Sequence, residues 1–241
     1  GRVKQADSTG DVTYSDQIVR VLRRNCVECH RAGEIAPFEL TDYDEVAGWA
    51  ETMVEVVDQG RMPPWVASPQ YGEFQHERRM PEEDKQLLRE WVAAGCPQGE
   101  EADMPVGEYV SQVSRAPLDE VYPMSDEPFM VPADGVVDYQ YFAIDPGWEE
   151  DRWVTRVEAI PGERSVVHHI LVFMRRPGAN YAPIYPGELI GGFVPGMQPT
   201  DLPDGTALRI PAGAKIVFQM HYTPNGISQA DMSHVGLRFA S

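Results

Sequence analysis

The sequence predicts a two-part α + β chain, a small all-α domain followed by an all-β antiparallel sandwich of jelly-roll type. Three observations carry that expectation. Apolar residues recur at helical spacing in the first hundred residues, and short β-like runs between Pro and Gly turns fill the C-terminal part. An acidic stretch with little periodicity separates them. The implied boundaries are residues 1–97, 98–127 and 128–241. At 241 residues the chain is long enough for two domains that each bury a core.

Ile18, Val21 and Leu22 lie on one helical stripe between Ser15, a candidate N-cap, and Asn25. Thr41-Asp42-Tyr43-Asp44 has the form of a capping box, followed by a stripe of Val46, Ala50, Met53, Val54 and Val57 that stops at Gly60. Pro81 suits the first turn of a third helix, whose Leu87, Leu88, Trp91 and Val92 form an apolar face before Gly95. From Pro97 to Glu127 eight acidic residues stand against one arginine, the composition of a solvated connector. Beyond it the β-like runs are 136–144, 152–160, 166–174, 189–194, 207–210, 215–222 and 235–240, separated by turns such as Asp145-Pro146-Gly147 and Pro224-Asn225-Gly226.

The chemistry of the first part lies in Cys26-Val27-Glu28-Cys29-His30. Cys-x-x-Cys-His is the pentapeptide to which a c-type haem is attached, its two thiols joined to the vinyl groups and its histidine held against the iron. A zinc site would need a second ligand pair, and the one further cysteine is Cys96. A thioredoxin-like dithiol would follow a strand, whereas the residues before Cys26 read as a helix. For the sixth iron position the candidates are Met62, in the Pro-rich loop Gly60 to Trp65, then Met80, and then a histidine such as His76.

Cys26 to His30, Pro37, Met62-Pro63-Pro64-Trp65 and the closing Leu87 to Gly95 resemble a class I cytochrome c domain. That resemblance implies covalent haem c on Cys26 and Cys29, His30 and Met62 as axial ligands, and the Pro37 carbonyl as acceptor for the second imidazole N–H of His30.

Four of the six histidines fall between His168 and His234, although a β-sandwich has no structural need of imidazole. His168-His169 sit in the apolar run Val166 to Phe173, and His221 ends another strand in Phe218 to Pro224. Three neutral imidazoles suit copper or zinc. Neighbouring residues of a regular strand point to opposite faces, so His168 and His169 can share an ion only at a bulge, a strand end or a twisted edge. One core and one surface histidine is the alternative. His234 alternates with Gly236 and Arg238 and is expected to be exposed.

Val167 to Phe173, Gly191-Gly192-Phe193-Val194-Pro195-Gly196, Phe218 to Pro224 and Gly236 to Phe239 resemble the N-terminal domain of the copper type II, ascorbate-dependent monooxygenases, the peptidylglycine and dopamine hydroxylase family. The resemblance implies that His168, His169 and His221 bind the electron-relaying copper called the H site. The family's M-site ligands, a His-x-His pair and a methionine from a second domain, have no counterpart before Ser241, and the paired cysteines of the animal enzymes are absent.

A formal net charge of −18 argues against nucleic acid or an anionic membrane as partner, and no apolar run approaches the ~18 residues of a spanning helix. Gly1 begins without a charged, hydrophobic leader, as in a trimmed product, and covalent haem implies a periplasmic or extracellular, exported protein. The expected function is a haem and copper electron-transfer oxidoreductase. It would be the cytochrome and H-site portion of a copper-dependent monooxygenase, served by a redox partner or small-molecule electron donor and acting on an unknown substrate. Two alternatives stay open: an electron-transfer cytochrome fused to a binding sandwich, with Trp148, Tyr181 and Tyr185 as an aromatic platform, and a haem-based gas sensor.

Overall fold

Thr13, Asp42 and Pro81 each stand where a helix begins. In the computed structural model, which describes residues 11–111, 113–180 and 186–240, the Thr13 hydroxyl accepts from the Asp16 N–H and opens a π-type turn, Tyr14–Ile18, that runs into α1, Val19–Asn25. Asp42 caps α2, Tyr43–Asp58, by accepting from the Glu45 N–H at 3.1 Å. Glu82, Glu83 and Asp84 then fill the first turn of α3, Glu82–Ala93, where negative charge opposes the partial positive charge of a helix start. Asp84 is nearly inaccessible and accepts from Arg24 at 2.6 Å and Asn25 at 2.8 Å, which ties the start of α3 to the end of α1. Ile18, Leu22, Val46, Ala50, Met53, Leu88 and Trp91 close the core between the helices.

The expected class, a small all-α domain ahead of an all-β sandwich, is overturned. Among the described residues strands hold 26% and helices 21%, and the sheets are antiparallel, so the protein is mostly β. Among the described residues there are three α-helices, and two of the intervals between them, 26–42 and 59–81, are largely irregular. Pro37, Pro63, Pro64 and Pro69 with Gly33, Gly60 and Gly72 interrupt those intervals, and proline both removes a helical donor and clashes with the preceding turn. No helical domain results. The chain divides into one unit of Gly1–Ala32 and Phe38–Ser111, and a second of Gly33–Pro37 and Gln112–Ser241.

The second unit contains β1 (Glu120–Pro123), β2 (Phe129–Val131), β3 (Gln140–Ile144), β4 (Arg152–Ile160), β5 (Val167–Arg175), β6 (Glu188–Phe193), β7 (Thr200–Asp201), β8 (Leu208–Ile210), β9 (Lys215–Tyr222), β10 (Gln229–Asp231) and β11 (His234–Phe239). One sheet has the order β1-β11-β4-β7, with β8 also on β4; a second has the order β3-β9-β5-β6; β10 and β2 form a ribbon. The expected connector, 98–127, contains β1, which pairs with β11. Val154, Val157, Val235 and Leu237 of the first sheet share one core with Ile170, Val172, Phe218 and Met220 of the second. Trp148 is buried, its ring edge-on to Tyr122 and Phe239, so it offers no exposed platform; Tyr181 and Tyr185 lie outside the described residues.

Gly191 and Gly192 show why β6 carries two glycines. A Cβ at Gly191 would stand 2.7 Å from Val157 Cγ1 of β4 in the other sheet, and one at Gly192 would stand 2.7 Å from the Ile170 carbonyl oxygen. The absence of a side chain at Gly191 lets the two sheets approach closely, and its absence at Gly192 clears the backbone of the neighbouring strand β5. Gly191→Ala is expected to destabilise the protein by about 1–3 kcal/mol through overpacking; chemical denaturation of the variant beside the wild type measures it.

Candidate functional site

Ligand-type side chains stand together in sequence in the first unit and converge in space in the second. In the first, Cys26 caps the C-terminus of α1, its N–H donating to the Leu22 carbonyl, and the chain then turns so that the N–H groups of Cys29 and His30 both donate to the Cys26 carbonyl. The pentapeptide is thereby wound into a tight turn at a helix end. None of the three cysteines forms a disulfide. Burial, reinforced by the neighbouring Cys29, pushes the Cys26 thiol up to about 12, so it stays protonated at neutral pH. A protonated, buried thiol is a poor thiolate nucleophile, which speaks against a reactive dithiol.

His30 Nδ1 lies 3.2 Å from the carbonyl oxygen of Phe38, not of Pro37, which corrects the expected partner by one residue. The loop places Phe38 there because the Leu40 N–H donates to the His30 carbonyl, and the Phe38 ring packs 4.7 Å from the imidazole and stacks on Trp49 at 4.3 Å. With Nδ1–H donating to a carbonyl, Nε2 is the nitrogen left for a ligand role. Burial lowers the His30 pKa, so the ring is neutral at pH 7.

Of the sixth-ligand candidates, Met62 is 42% exposed and follows α2, its N–H donating to the Val56 carbonyl. Met80 is 3% exposed and belongs to the helical core, while His76 is exposed. Among the described residues Trp65 Nε1 in the same loop is buried without a hydrogen-bond partner. A buried N–H of that kind fits a bound group bearing an acceptor, such as a carboxylate. Sequence reading missed Glu28, the buried carboxylate inside the pentapeptide, which accepts from the Tyr109 and Ser111 hydroxyls.

The cluster of the second unit is built by pairing β5 with β9. His169 stands directly opposite His221, and the register slips between Val167 and His169, so His168 is the extra residue of a β-bulge. That bulge removes the geometric objection to adjacent histidines sharing an ion. The Nδ1 atoms of His168 and His169 are 3.3 Å apart, those of His169 and His221 are also 3.3 Å apart, and one ligand atom from each of the three residues lies within 4.8 Å of the others. Two nitrogens each ~2.05 Å from an ion at a tetrahedral angle stand about 3.3 Å apart, so the rings already have the spacing of a shared metal. Among the described residues this is the one such group, and His234 lies on β11 in the other sheet.

A buried polar network holds the strand that leads into the bulge. Asp231, fully buried, accepts from the Tyr222 hydroxyl at 2.8 Å, the Ser233 hydroxyl and the Glu163 N–H at 2.8 Å, while the Thr223 N–H donates to the Val166 carbonyl. Burial and the Asp231 charge hold the Tyr222 phenol well above its ordinary range, so it remains a donor. Tyr139, which sequence reading treated as a plain strand residue, has its ring centroid 5.1 Å from His221 and 5.7 Å from His169. Its signal was register: Gln140 pairs with Met220, so Tyr139 falls level with His221.

No protein-family model matches this chain, and a search of curated proteins finds no match either.

Burial first, then the charges His221 and His168 would carry, lower the His169 pKa from its ordinary value to about 4. An unfolded histidine titrates near 6.5, so between about 6.5 and 4 the unfolded chain takes up the proton and the folded one does not. For the metal-free protein this contribution to stability is constant above neutrality, falls as pH drops through that window, and levels off below it. Thermal melts of metal-free wild type against His169→Gln are expected to differ in slope over that window, the variant being flatter.

Proposed function

We propose that this chain is an exported electron-transfer oxidoreductase with covalent haem c on Cys26 and Cys29, axial ligands from His30 and Met62, and copper on His168, His169 and His221. We further propose that it is the electron-delivering portion of a copper-dependent monooxygenase that hydroxylates C–H bonds with O2. The observation that carries the reading is the bulge-made cluster, because three imidazole nitrogens at metal-chelate spacing on one sheet face serve no packing purpose. Among the described residues no helix is long and apolar enough to cross a membrane.

When bound, haem c and copper each supply a one-electron couple. The rest is done by side chains. Cys26 and Cys29 anchor the macrocycle, and the Phe38 carbonyl orients His30 so that Nε2 is its donor atom. The exposed Met62 thioether is available as a soft ligand, whereas Met80 is committed to the core. Burial keeps His169 and His221 neutral at pH 7, so they present lone pairs without first losing protons. An all-imidazole donor set brings no charge of its own and accommodates either oxidation state. Among the described residues no second group of three such ligands forms, so hydroxylation is assigned to a parent protein that supplies the oxygen-binding copper. Of the three aromatic residues offered for the binding-sandwich alternative, Trp148 is buried, and Tyr181 and Tyr185 lie outside the described residues.

Metal analysis of purified protein tests the reading, with one iron and one copper per chain expected. His221→Ala is expected to bring copper close to zero while the haem absorption spectrum stays that of the wild type. Copper retained at wild-type stoichiometry, or haem extractable from the denatured chain, contradicts the assignment.

A further inference from the structure

We propose that Tyr139 is a steric gate at the three-imidazole site, its ring walling one side of the cluster and restricting the metal's remaining position to ligands of two or three atoms. The proposal rests on the metal-site reading above and adds selectivity to it.

The placement follows from register. β3, β9 and β5 lie side by side; Tyr139 falls level with His221 and His221 with His169, so the three residues form a row across three strands. The Tyr139 ring reaches both imidazoles, at 5.1 and 5.7 Å between centroids. His168 stands on the other side of the cluster, its ring 4.8 Å from His221 and 5.5 Å from His169, and it is exposed. The site is thus walled by a phenol on one flank and open at His168 on the other.

Core packing does not explain this phenol. Tyr139 is 50% exposed and is absent from the apolar cluster that Phe142 and Ile144 of the same segment join. Among the described residues its ring contacts are with the two histidines. Tyr141, two residues on, has a separate task, its hydroxyl accepting from Gln219 at 2.6 Å. A half-exposed aromatic held against two metal-binding rings excludes water and bulky donors from that flank, and a steric element aimed at unwanted ligands is a standard source of specificity. Three protein nitrogens on a four-coordinate ion leave one position for an outside molecule. A linear triatomic such as azide extends away from the metal, whereas a planar five-membered donor needs lateral room.

The test uses the 241-residue chain loaded with copper(II) and titrated separately with azide and imidazole, followed by visible absorption and electron paramagnetic resonance. Tyr139→Ala is expected to raise imidazole affinity about tenfold and to change azide affinity less than about threefold. Tyr139→Phe should match the wild type, because the ring is the gate, and Tyr139→Trp should weaken imidazole binding, which keeps the test decisive if the alanine variant folds poorly. One copper per chain with imidazole affinity unchanged in the alanine and tryptophan variants overturns the gate alone, as does a phenylalanine variant that behaves like alanine. Failure of the wild type to hold copper overturns the site and the gate together.

Discussion

The pairing of β5 with β9 across the His168 bulge is the constraint on which the three-imidazole cluster, and with it the proposed metal site, depends. In an unbroken ladder His168 and His169 would face opposite sides of the sheet; one extra residue re-aims His168 and brings three ring nitrogens together. A bulge gives up ladder pairing, and the loss is offset by what flanks it. Ile170 and Met220 are buried one step beyond, and the Asp231 network holds the turn one step before. A metal-free cluster leaves the rings only partly satisfied, because neighbouring imidazoles compete for the few N–H donors between them. A single cation satisfies three lone pairs at once.

The first unit treats its histidine by the same logic with different means. His30 is oriented by a carbonyl and two stacked aromatic rings, and the turn that carries it is wound against the end of α1 by backbone hydrogen bonds. Glu28 takes hydroxyl donors from Tyr109 and Ser111, so a carboxylate inside the pentapeptide is buried without being left unpaired. The two sites share one feature: burial keeps His30, His169 and His221 neutral at pH 7, and neighbouring groups rather than solvent set the orientation of the rings.

Much of the local structure was legible because it is written in short-range chemistry. The capping box read at Thr41 located the start of α2 to within one residue, Asp42 being the cap, and Gly60 follows the helix; β4 and β9 occupy the ranges their apolar patterns indicated. β2, β7 and β10 escaped notice because segments of two or three residues are too short to show a period. β1, at Glu120–Pro123, was hidden within an acidic stretch, its strand character arising from pairing with β11. The fold class failed for a related reason: three helical stripes suggested a helical domain, yet the Pro- and Gly-rich intervals between them are as long as the helices and stay irregular. The offset from Pro37 to Phe38 is a loop effect, where one residue of slack decides which carbonyl meets the ring.

The sequence by itself determined the residue types available for chemistry, a Cys-x-x-Cys-His turn after a helix and three histidines in two strand-like runs, together with the helix starts and the longer strands. Tertiary structure alone decided that His168 bulges, that His169 faces His221, that Tyr139 leans on both, and that Trp148 is inside. The division is physical. Caps, turns and periodicity depend on a few neighbouring residues, whereas a register slip or a cross-strand contact is settled by how two distant segments and the core beneath them fit together.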